Sequence, residues 1–392
     1  MSGLVARFAP VFDEVGAEAV AREHERRLPY AEVERLREAG FTRVTLPREH
    51  GGDAADHAEL FELLAELARR DPNLAQLFRS HFSFIDRTLH APASATREAR
   101  LALLADGAIH GNATFEKGTA KVGGYDTRLT SDGDGLRLDG RKFYSTGTLF
   151  ADLVSVLADR EGTPVGVLVR TDAAGVARLD DWDGFGQRMT GSGTTVFEGV
   201  RVRDADVLER DDRPTHAGPF VQLVLLAVLA GIGRAVVDDG VRFVRARTRS
   251  YSHAVAALPR EDPIVQETVG ELSAASFAAD AALAHAVAAL RRSSAAILAD
   301  APDDEQRARV DDAELAMTRA QLVVIPNVLR AATELFEVGG ASAVSTGLAL
   351  DRHWRNARTV ASHNPARFKA RNVGDHLVNG TPVVSWWTNG ES

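Results

Sequence analysis

The chain has 392 residues, 45% hydrophobic and 26% charged, which is typical of a globular protein with two or three packed units. Its formal net charge is −9 with both signs mixed along the chain, which argues against nucleic acid as a main partner. The absence of cysteine excludes disulfides, thiolate metal sites and a cysteine nucleophile. The 12 histidines show no paired metal-ligand spacing, so we expect no metal.

The sequence also bears on the compartment. Residues 1–7 lack the charged and then apolar pattern of a signal peptide. The longest apolar run, residues 220–232, is short for a membrane span and is closed by Arg234. We therefore expect a cytoplasmic protein without a membrane partner.

The first part of the chain predicts helices, because apolar residues recur three and four apart beside charged faces. The predicted helices cover residues 5–26, 30–38, 55–70 and 94–104. A stretch rich in Gly and Pro, residues 40–52, separates the second from the third. An N-terminal α-helical domain is expected over residues 1–110.

Short β-type runs follow, separated by Gly and Asp. Asp132-Gly133 and Asp139-Gly140 are typical of hairpin turns. This pattern predicts a small β-barrel over residues 111–213.

From about His216 to Leu350 the chain is Ala-rich and strongly periodic, with one charged break at residues 301–305. Broad apolar faces on several long helices are what a four-helix bundle requires. We therefore predict a C-terminal helical bundle over residues 214–392 and an α+β fold for the whole chain.

One segment near the C-terminus places an imidazole beside an amide. His363, Asn364 and Pro365 lie between two helix-prone runs. Ser362 is suited to the N-cap of the second helix, and Pro365 to its first turn. Taken alone, a single His here is more often a capping or hydrogen-bonded residue than a catalytic one.

The run Arg355-Asn-Ala-Arg358 before this segment resembles the C-terminal signature of the acyl-CoA dehydrogenase superfamily. In many dehydrogenases of that superfamily a Tyr-Glu pair follows, and the Glu abstracts the substrate α-proton. Here His363 and Asn364 stand at those two positions. An amide does not accept a proton at neutral pH, so dehydrogenation is disfavoured. The segment is instead similar to that of the superfamily's reduced-flavin-dependent monooxygenases, the dibenzothiophene monooxygenase-like branch.

This resemblance spans nearly the whole chain, from Pro29 to residue 380. It implies the acyl-CoA dehydrogenase-like order of N-terminal α-helical domain, central β-barrel and C-terminal four-helix bundle. It also implies reduced FMN as the cofactor, less readily FAD, and oxygenation through a C4a-(hydro)peroxyflavin formed with O2. Since the chain lacks a G-x-G-x-x-G nicotinamide fingerprint after a strand, a separate NAD(P)H flavin reductase would supply the reduced flavin.

The resemblance also implies four catalytic residues, His363, His81, Asn112 and Ser145. His81 falls where a His of this branch faces the flavin pocket, although a His among aromatics is otherwise more often a core residue. Asn112 lies in a run that approaches the flavin ring in the branch. Ser145 and Thr146 lie at a strand end whose hydroxyls can bond flavin or peroxide oxygens. Asn before a strand and Ser-Thr before Gly are also common turn chemistry.

Further contacts to the cofactor are implied by other motifs. Residues 187–195 resemble a segment whose amides and hydroxyls lie against the flavin. Arg249 falls where the family has an Arg for the flavin phosphate, often of a flavin held by the neighbouring subunit, although cations also stabilise a helix end. For Arg355 an i,i+4 pair with Asp351 is the favoured alternative. The predicted cofactor-binding residues are Asn112, Ser145, Thr146, Ser192, Thr194, Arg249, Ser250, Gly340, Arg355 and His363.

The family implies a small, neutral and apolar organosulfur or amine substrate, oxygenated at sulfur or else nitrogen. It also implies a homotetramer, which the broad apolar helix faces favour. Two alternatives stay open. An FAD-dependent acyl-CoA dehydrogenase would need a carboxylate in place of Asn364, and a non-catalytic scaffold of the same fold would bind no flavin.

Overall fold

The computed structural model describes residues 3–118, 123–131, 133, 135–208 and 213–384. Helices come first, strands follow, and helices return, which confirms the predicted α+β order. The N-terminal helices are α1 (Gly3–Gly16), α2 (Ala19–Glu25), α3 (Tyr30–Glu38), α4 (His57–Arg70), α5 (Pro72–Leu77), α6 (Arg79–His90) and α7 (Ala95–Ala105).

The helix predicted over residues 5–26 is in fact two helices that part after Gly16. A Cβ atom on Gly16 would lie 2.5 Å from the Cβ of Arg70 in α4, so glycine permits the close approach of the two helices here. The start of α4 follows a local rule. The Asp56 side chain accepts a hydrogen bond from the Glu59 N–H, and the Glu59 side chain accepts one from the Asp56 N–H.

The described strands form one mixed sheet with its own apolar core. Along the sheet the order is β6-β7-β3-β2-β4-β5-β8, and β1 pairs in parallel with β4. The sheet occupies the place of the predicted barrel, and β6 and β8 lie at the two ends of the path of paired strands. The strands are β1 (His110–Ala113), β2 (Arg128–Ser131), β3 (Leu136–Lys142), β4 (Leu153–Arg160), β5 (Thr163–Arg170), β6 (Val176–Arg178), β7 (Thr195–Val202) and β8 (Val207–Leu208).

Asp139-Gly140 is not the predicted hairpin turn. Gly140 lies inside β3 with a φ of +154°, at a register shift in the pairing with β7. A Cβ atom here would lie 2.4 Å from the Thr127 hydroxyl oxygen. Gly140 therefore forms a β-bulge, which a turn pattern read from sequence does not distinguish from a hairpin. The turn predicted at Asp132 falls outside the described residues.

The C-terminal helices are α8 (Ala217–Ala246), α9 (Pro263–Leu298), α10 (Asp303–Glu334), α11 (Asp351–Ala361) and α12 (Ala366–Asn379). Helix α8 contacts α4, α9, α10 and α11, so the N-terminal helices and the bundle share one apolar core. By length and composition α8 and α9 could cross a membrane, but 78% of the most apolar window of α8 is buried in the protein. That burial is the property of a core helix. The division at residues 110/111 and 213/214 stays a prediction.

A buried ion pair holds α12 on the bundle. The Nζ atom of Lys369 lies 2.8 Å from an Oε atom of Glu314 in α10, and both side chains are almost inaccessible to solvent. Burial raises the pKa of Glu314, and the Lys369 ammonium opposes that rise. Removal of one partner would leave the other charge buried without compensation. The pair therefore fixes α12, and with it the turn that precedes α12.

We expect Lys369→Met to lower the free energy of unfolding by about 3–5 kcal/mol, because Glu314 would stay buried without its cation. The double variant Lys369→Met/Glu314→Leu removes both charges and should regain most of that loss. Urea titration followed by circular dichroism measures both. A double variant as unstable as the single one would contradict this account.

Candidate active site

A cleft of about 2300 Å³ opens between the N-terminal helices, the sheet and the C-terminal helices. Ligand sites for small molecules commonly enclose about 300–1000 Å³, so this cleft has room for a cofactor and a substrate together. Side chains of α6, the strand β1 and the loop after it, residues 182–192 and residues 359–371 contribute to its walls.

His363 and Asn364 line this cleft, in the turn between α11 and α12. The predicted caps of this turn are wrong. Ser362 closes α11 instead, and its hydroxyl donates to the Arg358 carbonyl at 2.8 Å. Pro365 immediately precedes α12 rather than lying in its first turn. The turn nevertheless presents the imidazole and the amide to the same open space.

The surroundings of His363 favour its neutral form. Desolvation by the cleft walls and the positive charge of Arg79 lower the pKa of the imidazole, while a hydrogen bond with Asn364 opposes them. The ring keeps an exposed edge in the cleft, so solvent softens these effects. At neutral pH His363 is an uncharged imidazole that can accept a proton or a hydrogen bond at one nitrogen and donate from the other.

A row of polar groups forms another part of the cleft wall. Asn112, Thr146 and Ser192 all line the cleft. The Ser192 hydroxyl oxygen lies 2.8 Å from that of Thr146 and 2.7 Å from that of Thr190. The Asn112 amide donates to the Thr114 hydroxyl at 3.2 Å. Each hydroxyl has one donor and two acceptor positions, so this wall can also bond to a ligand.

Two glutamines in the cleft wall have unsatisfied amides. Gln187 is 1% exposed, and neither of its amide atoms has a hydrogen-bond partner within the described protein. The Oε1 atom of Gln76 is in the same state. A positive φ of 50° at Gln187 bends the chain here, and its N–H donates to the Asn356 side-chain oxygen at 2.6 Å. A buried amide without partners costs about 1–3 kcal/mol, so a ligand with donors and acceptors along one edge fits this wall.

Two family models match the chain: Acyl-CoA dehydrogenase, N-terminal domain, over residues 5–107, and Acyl-CoA dehydrogenase, C-terminal domain, over residues 223–368. A dibenzothiophene monooxygenase of Mycolicibacterium goodii is 30% identical over 376 residues, which cover 91% of this chain and 89% of that relative. The chain belongs to the acyl-CoA dehydrogenase superfamily.

Two other similarities refine the position within this superfamily. The probable FMNH2-dependent monooxygenase SfnC of Pseudomonas putida is 26% identical, with 94% of this chain and 93% of the relative covered. The structure of methanesulfinate monooxygenase MsuC from Pseudomonas fluorescens matches with a TM-score of 0.89 and 25% identity, over 98% of this chain and 99% of that one. This superfamily member therefore falls in the reduced-flavin-dependent monooxygenase branch, and the predicted family and fold are confirmed.

Ser145 and Thr194, both predicted to contact the flavin, are buried and do not line the cleft of this superfamily member. Ser145 is 1% exposed, its N–H donates to the Gly193 carbonyl at 3.1 Å, and its hydroxyl has no partner within the described residues. Thr194 donates both its N–H and its hydroxyl to the Asp181 carboxylate, at 2.6 and 2.7 Å. Thr194 therefore shapes the loop, a position that does not fit a direct flavin contact.

His81 does not face the cleft. Its Nε2 lies 2.7 Å from the Thr42 carbonyl, to which it donates, and its Nδ1 accepts the His110 N–H at 3.3 Å. Burial lowers the pKa of His81 to about 4. Both ring nitrogens of His81 are engaged in the core, so the catalytic role predicted for this residue does not fit. His81 is instead a packed core residue, the alternative that the sequence also allowed.

The predicted phosphate contacts lie away from the cleft of this chain. Arg249 and Ser250 are exposed on the segment after α8, and Gly340 lies next to the Tyr251 hydroxyl there. The structure does not bring these residues to the cleft that holds His363. A contact between Arg249 and a flavin phosphate would require a second copy of the chain, as the family resemblance implies.

Arg355 is engaged elsewhere. Its Nε donates to the Asp351 carboxylate at 2.7 Å, which is the i,i+4 pair favoured from the sequence. One of its terminal nitrogens also donates to Glu23 at 2.5 Å and to the Phe185 carbonyl at 3.0 Å. These bonds tie α11 to the N-terminal helices and to the loop before Gln187. The phosphate contact predicted for Arg355 does not fit this geometry.

A largely buried cluster of two histidines and an aspartate is not predicted by any spacing in the sequence. The ring nitrogens of His57 and His216 lie 2.7 and 3.0 Å from the two carboxylate oxygens of Asp86. These imidazoles lower the pKa of Asp86 against the opposing effect of burial. The residues lie far apart in sequence, on α4, on α6 and just before α8. Their hydrogen bonds join these three helices.

His81→Gln should reduce the loss of stability on acidification. Because the pKa of His81 is about 4 in the folded chain and 6.5 in its ordinary state, the unfolded chain binds the extra proton below pH 6.5. The folded state therefore loses stability as the pH falls from 6.5 towards 4, by about 2 kcal/mol between pH 7 and pH 5 for this group.

Urea titrations at pH 7 and pH 5 measure this difference. His24→Gln makes the same chemical change at an exposed side chain and should keep the wild-type loss. An equal loss in His81→Gln and wild type would contradict the structural role assigned to His81.

Proposed function

We propose that this protein is the oxygenase component of a two-component system that uses reduced FMN and O2 to oxygenate a small organosulfur compound at sulfur, with nitrogen as the second choice. The enzyme is a reduced-flavin-dependent monooxygenase, and its cofactor is FMN. The observation that carries the proposal is the neutral pair His363 and Asn364 in the cleft wall, where the resembling dehydrogenases have a carboxylate.

Different residues of the cleft would bind the flavin, interact with oxygen and orient the substrate. Reduced FMN, when bound, supplies two electrons for the reduction of O2, of which one oxygen atom enters the substrate and the other leaves as water. Gln187 and the hydroxyls of Thr146 and Ser192 would hold the polar edge of the flavin. His363 would donate a hydrogen bond to oxygen from its ring N–H, or accept a proton at its other nitrogen, since a neutral imidazole offers both. Asn112 would orient the substrate.

Glu116, the glutamate of the cleft wall, does not suit the proton abstraction of a dehydrogenase. Its carboxylate accepts hydrogen bonds from the Lys142 ammonium at 2.5 Å and from the Thr127 hydroxyl at 2.6 Å. These partners lower the pKa of Glu116 against the opposing effect of burial, so its carboxylate is a weak base. A proton-abstracting group in place of Asn364 is therefore not supplied from this side.

Three parts of the proposal concern the surroundings of the enzyme. A separate NAD(P)H flavin reductase would supply the reduced FMN. A homotetramer would bring the exposed Arg249 of one copy to the flavin phosphate of another. A cytoplasmic location would give access to both the reductase and NAD(P)H. The names of the relatives, a dibenzothiophene monooxygenase and a methanesulfinate monooxygenase, support sulfur as the oxygenated atom.

His363→Ala should lower product formation at least about 100-fold and change the Kd of reduced FMN less than about twofold, because general acid-base groups commonly contribute 10²–10⁴-fold. The assay supplies reduced FMN from a reductase and screens sulfides, sulfoxides, sulfones and amines for incorporation of ¹⁸O from ¹⁸O2. Unchanged turnover would remove His363 from the reaction. Anaerobic bleaching of bound flavin by acyl-CoAs, with no oxygen insertion, would favour the dehydrogenase instead.

Gln187→Leu should weaken the binding of reduced FMN about tenfold, because a side chain that cannot bond replaces an amide that the flavin edge would satisfy. Anaerobic fluorescence titration gives the Kd. Gln222→Leu is the matched control, since Gln222 lies in the same cleft on α8 and is not one of the buried amides without partners. Equal Kd values for the two variants would show that Gln187 does not contact the flavin.

A further inference from the structure

A guanidinium without a counter-ion lies in the cleft wall near His363. Arg79 is the first residue of α6, and its Nε donates to the Val221 carbonyl of α8 at 2.9 Å. This bond engages Nε and leaves the two terminal nitrogens of the guanidinium available for a ligand. Among the described residues, neither nitrogen has a hydrogen-bond partner and no carboxylate pairs with Arg79. The side chain lines the cleft that also holds His363 and Asn364.

The charge of Arg79 has no balancing carboxylate among the described residues. Burial lowers its pKa to about 10, so the group is still a cation at neutral pH. Two arginines that have carboxylate partners, Arg69 and Arg234, behave oppositely. The carboxylates of Asp238 and of Glu62 with Asp280 raise the pKa of Arg69 and of Arg234, respectively. Arg79 is half-buried in the cleft wall, and a bound anion would offset the partial loss of water around its guanidinium.

The positive charge extends along one face of α6. Ser83 and Arg87 follow Arg79 at four-residue spacing, and all three line the cleft. Arg100 of α7 lines it as well, and burial together with the Arg87 charge lowers its pKa. Asp86 is the carboxylate nearest Arg87 on α6, and it is already bound to His57 and His216. This wall of the cleft therefore favours a negative ligand.

We propose that the substrate carries a small oxyanion, of the sulfinate type, and that the terminal nitrogens of Arg79 bind it next to His363. This inference rests on the proposed function and replaces the neutral substrate expected from the sequence. A guanidinium matches two oxygens of one acid group with two parallel hydrogen bonds. A sulfinate unites such an oxyanion with a sulfur atom that can still be oxidised.

The reaction balances with the reactants already named. An alkanesulfinate, O2 and FMNH2 give an alkanesulfonate, FMN and water. One oxygen atom forms the new S–O bond, sulfur loses two electrons, and the other oxygen atom leaves with the two hydrogens of FMNH2. Substrate and product are both anions, so Arg79 would bind both. A group that binds the ground state and the transition state alike affects KM more than kcat.

The test compares pairs of substrates with the same shape and different charge. Alkanesulfinates of one to four carbons are matched with methyl alkyl sulfoxides, in which a methyl group replaces the charged oxygen. Wild type should prefer the sulfinate in kcat/KM by at least about 100-fold. Arg79→Gln should lower kcat/KM for the sulfinate about 100-fold, mainly through KM, and change the sulfoxide value less than about twofold.

Two control variants and two binding measurements separate the possible causes. Arg87→Gln removes the same charge two turns further along α6 and should cost less than about fivefold. Arg79→Lys keeps the charge without the fork and should retain about a tenth of the sulfinate kcat/KM. Calorimetry with methanesulfinate and the FMN-loaded protein measures anion binding directly, and anaerobic titration gives the Kd of reduced FMN for each variant.

The outcomes distinguish this inference from the proposed function. Oxygenation of sulfoxides but not sulfinates by wild type would overturn the anionic substrate and leave the monooxygenase intact. Calorimetric binding of methanesulfinate that Arg79→Gln abolishes, without oxygenation of any compound, would support the anion site and overturn the monooxygenase. A weaker Kd for reduced FMN in Arg79→Gln, with equal losses for both substrates, would assign Arg79 to the flavin.

Discussion

The close packing of α8 against α4 is the contact on which the cleft depends. A Cβ atom on Gly231 would lie 2.4 Å from the Ala65 carbonyl, so only glycine lets the two helices approach this far. Three residues further on, Arg234 donates to Glu62 and Glu66 of α4 and to Asp280 of α9. The N-terminal helices and the bundle are thereby one packed unit. The same helix α8 supplies the carbonyl that receives Arg79, so its position sets the cationic wall of the cleft.

The electrostatic character of the cleft follows from two positions. Asn364 brings no negative charge where the resembling dehydrogenases have a proton-abstracting acid, and Arg79 brings a positive charge that no carboxylate in the described part of the chain balances. The neutral Asn364 and the cationic Arg79 both make the site poor at removing a proton from carbon. Both also favour the binding of an anion and the neutral form of His363. The proposed oxygenation and the proposed oxyanion therefore depend on one charge distribution rather than on two separate features.

Several histidines of this chain serve the fold. His110 stacks on Phe84 with ring centroids 4.1 Å apart and bonds to Ser155, and burial lowers its pKa to about 3. His353 is held by Asp239 of α8 at 2.8 Å, and burial lowers its pKa to about 4. Together with His81, these neutral rings join helices to strands and to each other. The exposed edge of His363 in the cleft sets it apart from these three.

Features that neighbouring residues control can be predicted from the sequence alone. The start of α9 at Pro263 follows from the Asp262 cap, and the Asp351–Arg355 pair follows from i,i+4 spacing. The motif around Asn364 identified the superfamily and the loss of the acid. Which side chains face the cleft depends instead on how the helices pack. Successive residues of a helix are about 100° apart, so Arg79 and His81 point in nearly opposite directions. The packing of α6 between α8 and the Thr42 loop chooses Arg79 for the cleft and His81 for the core, and that packing joins residues far apart in the chain.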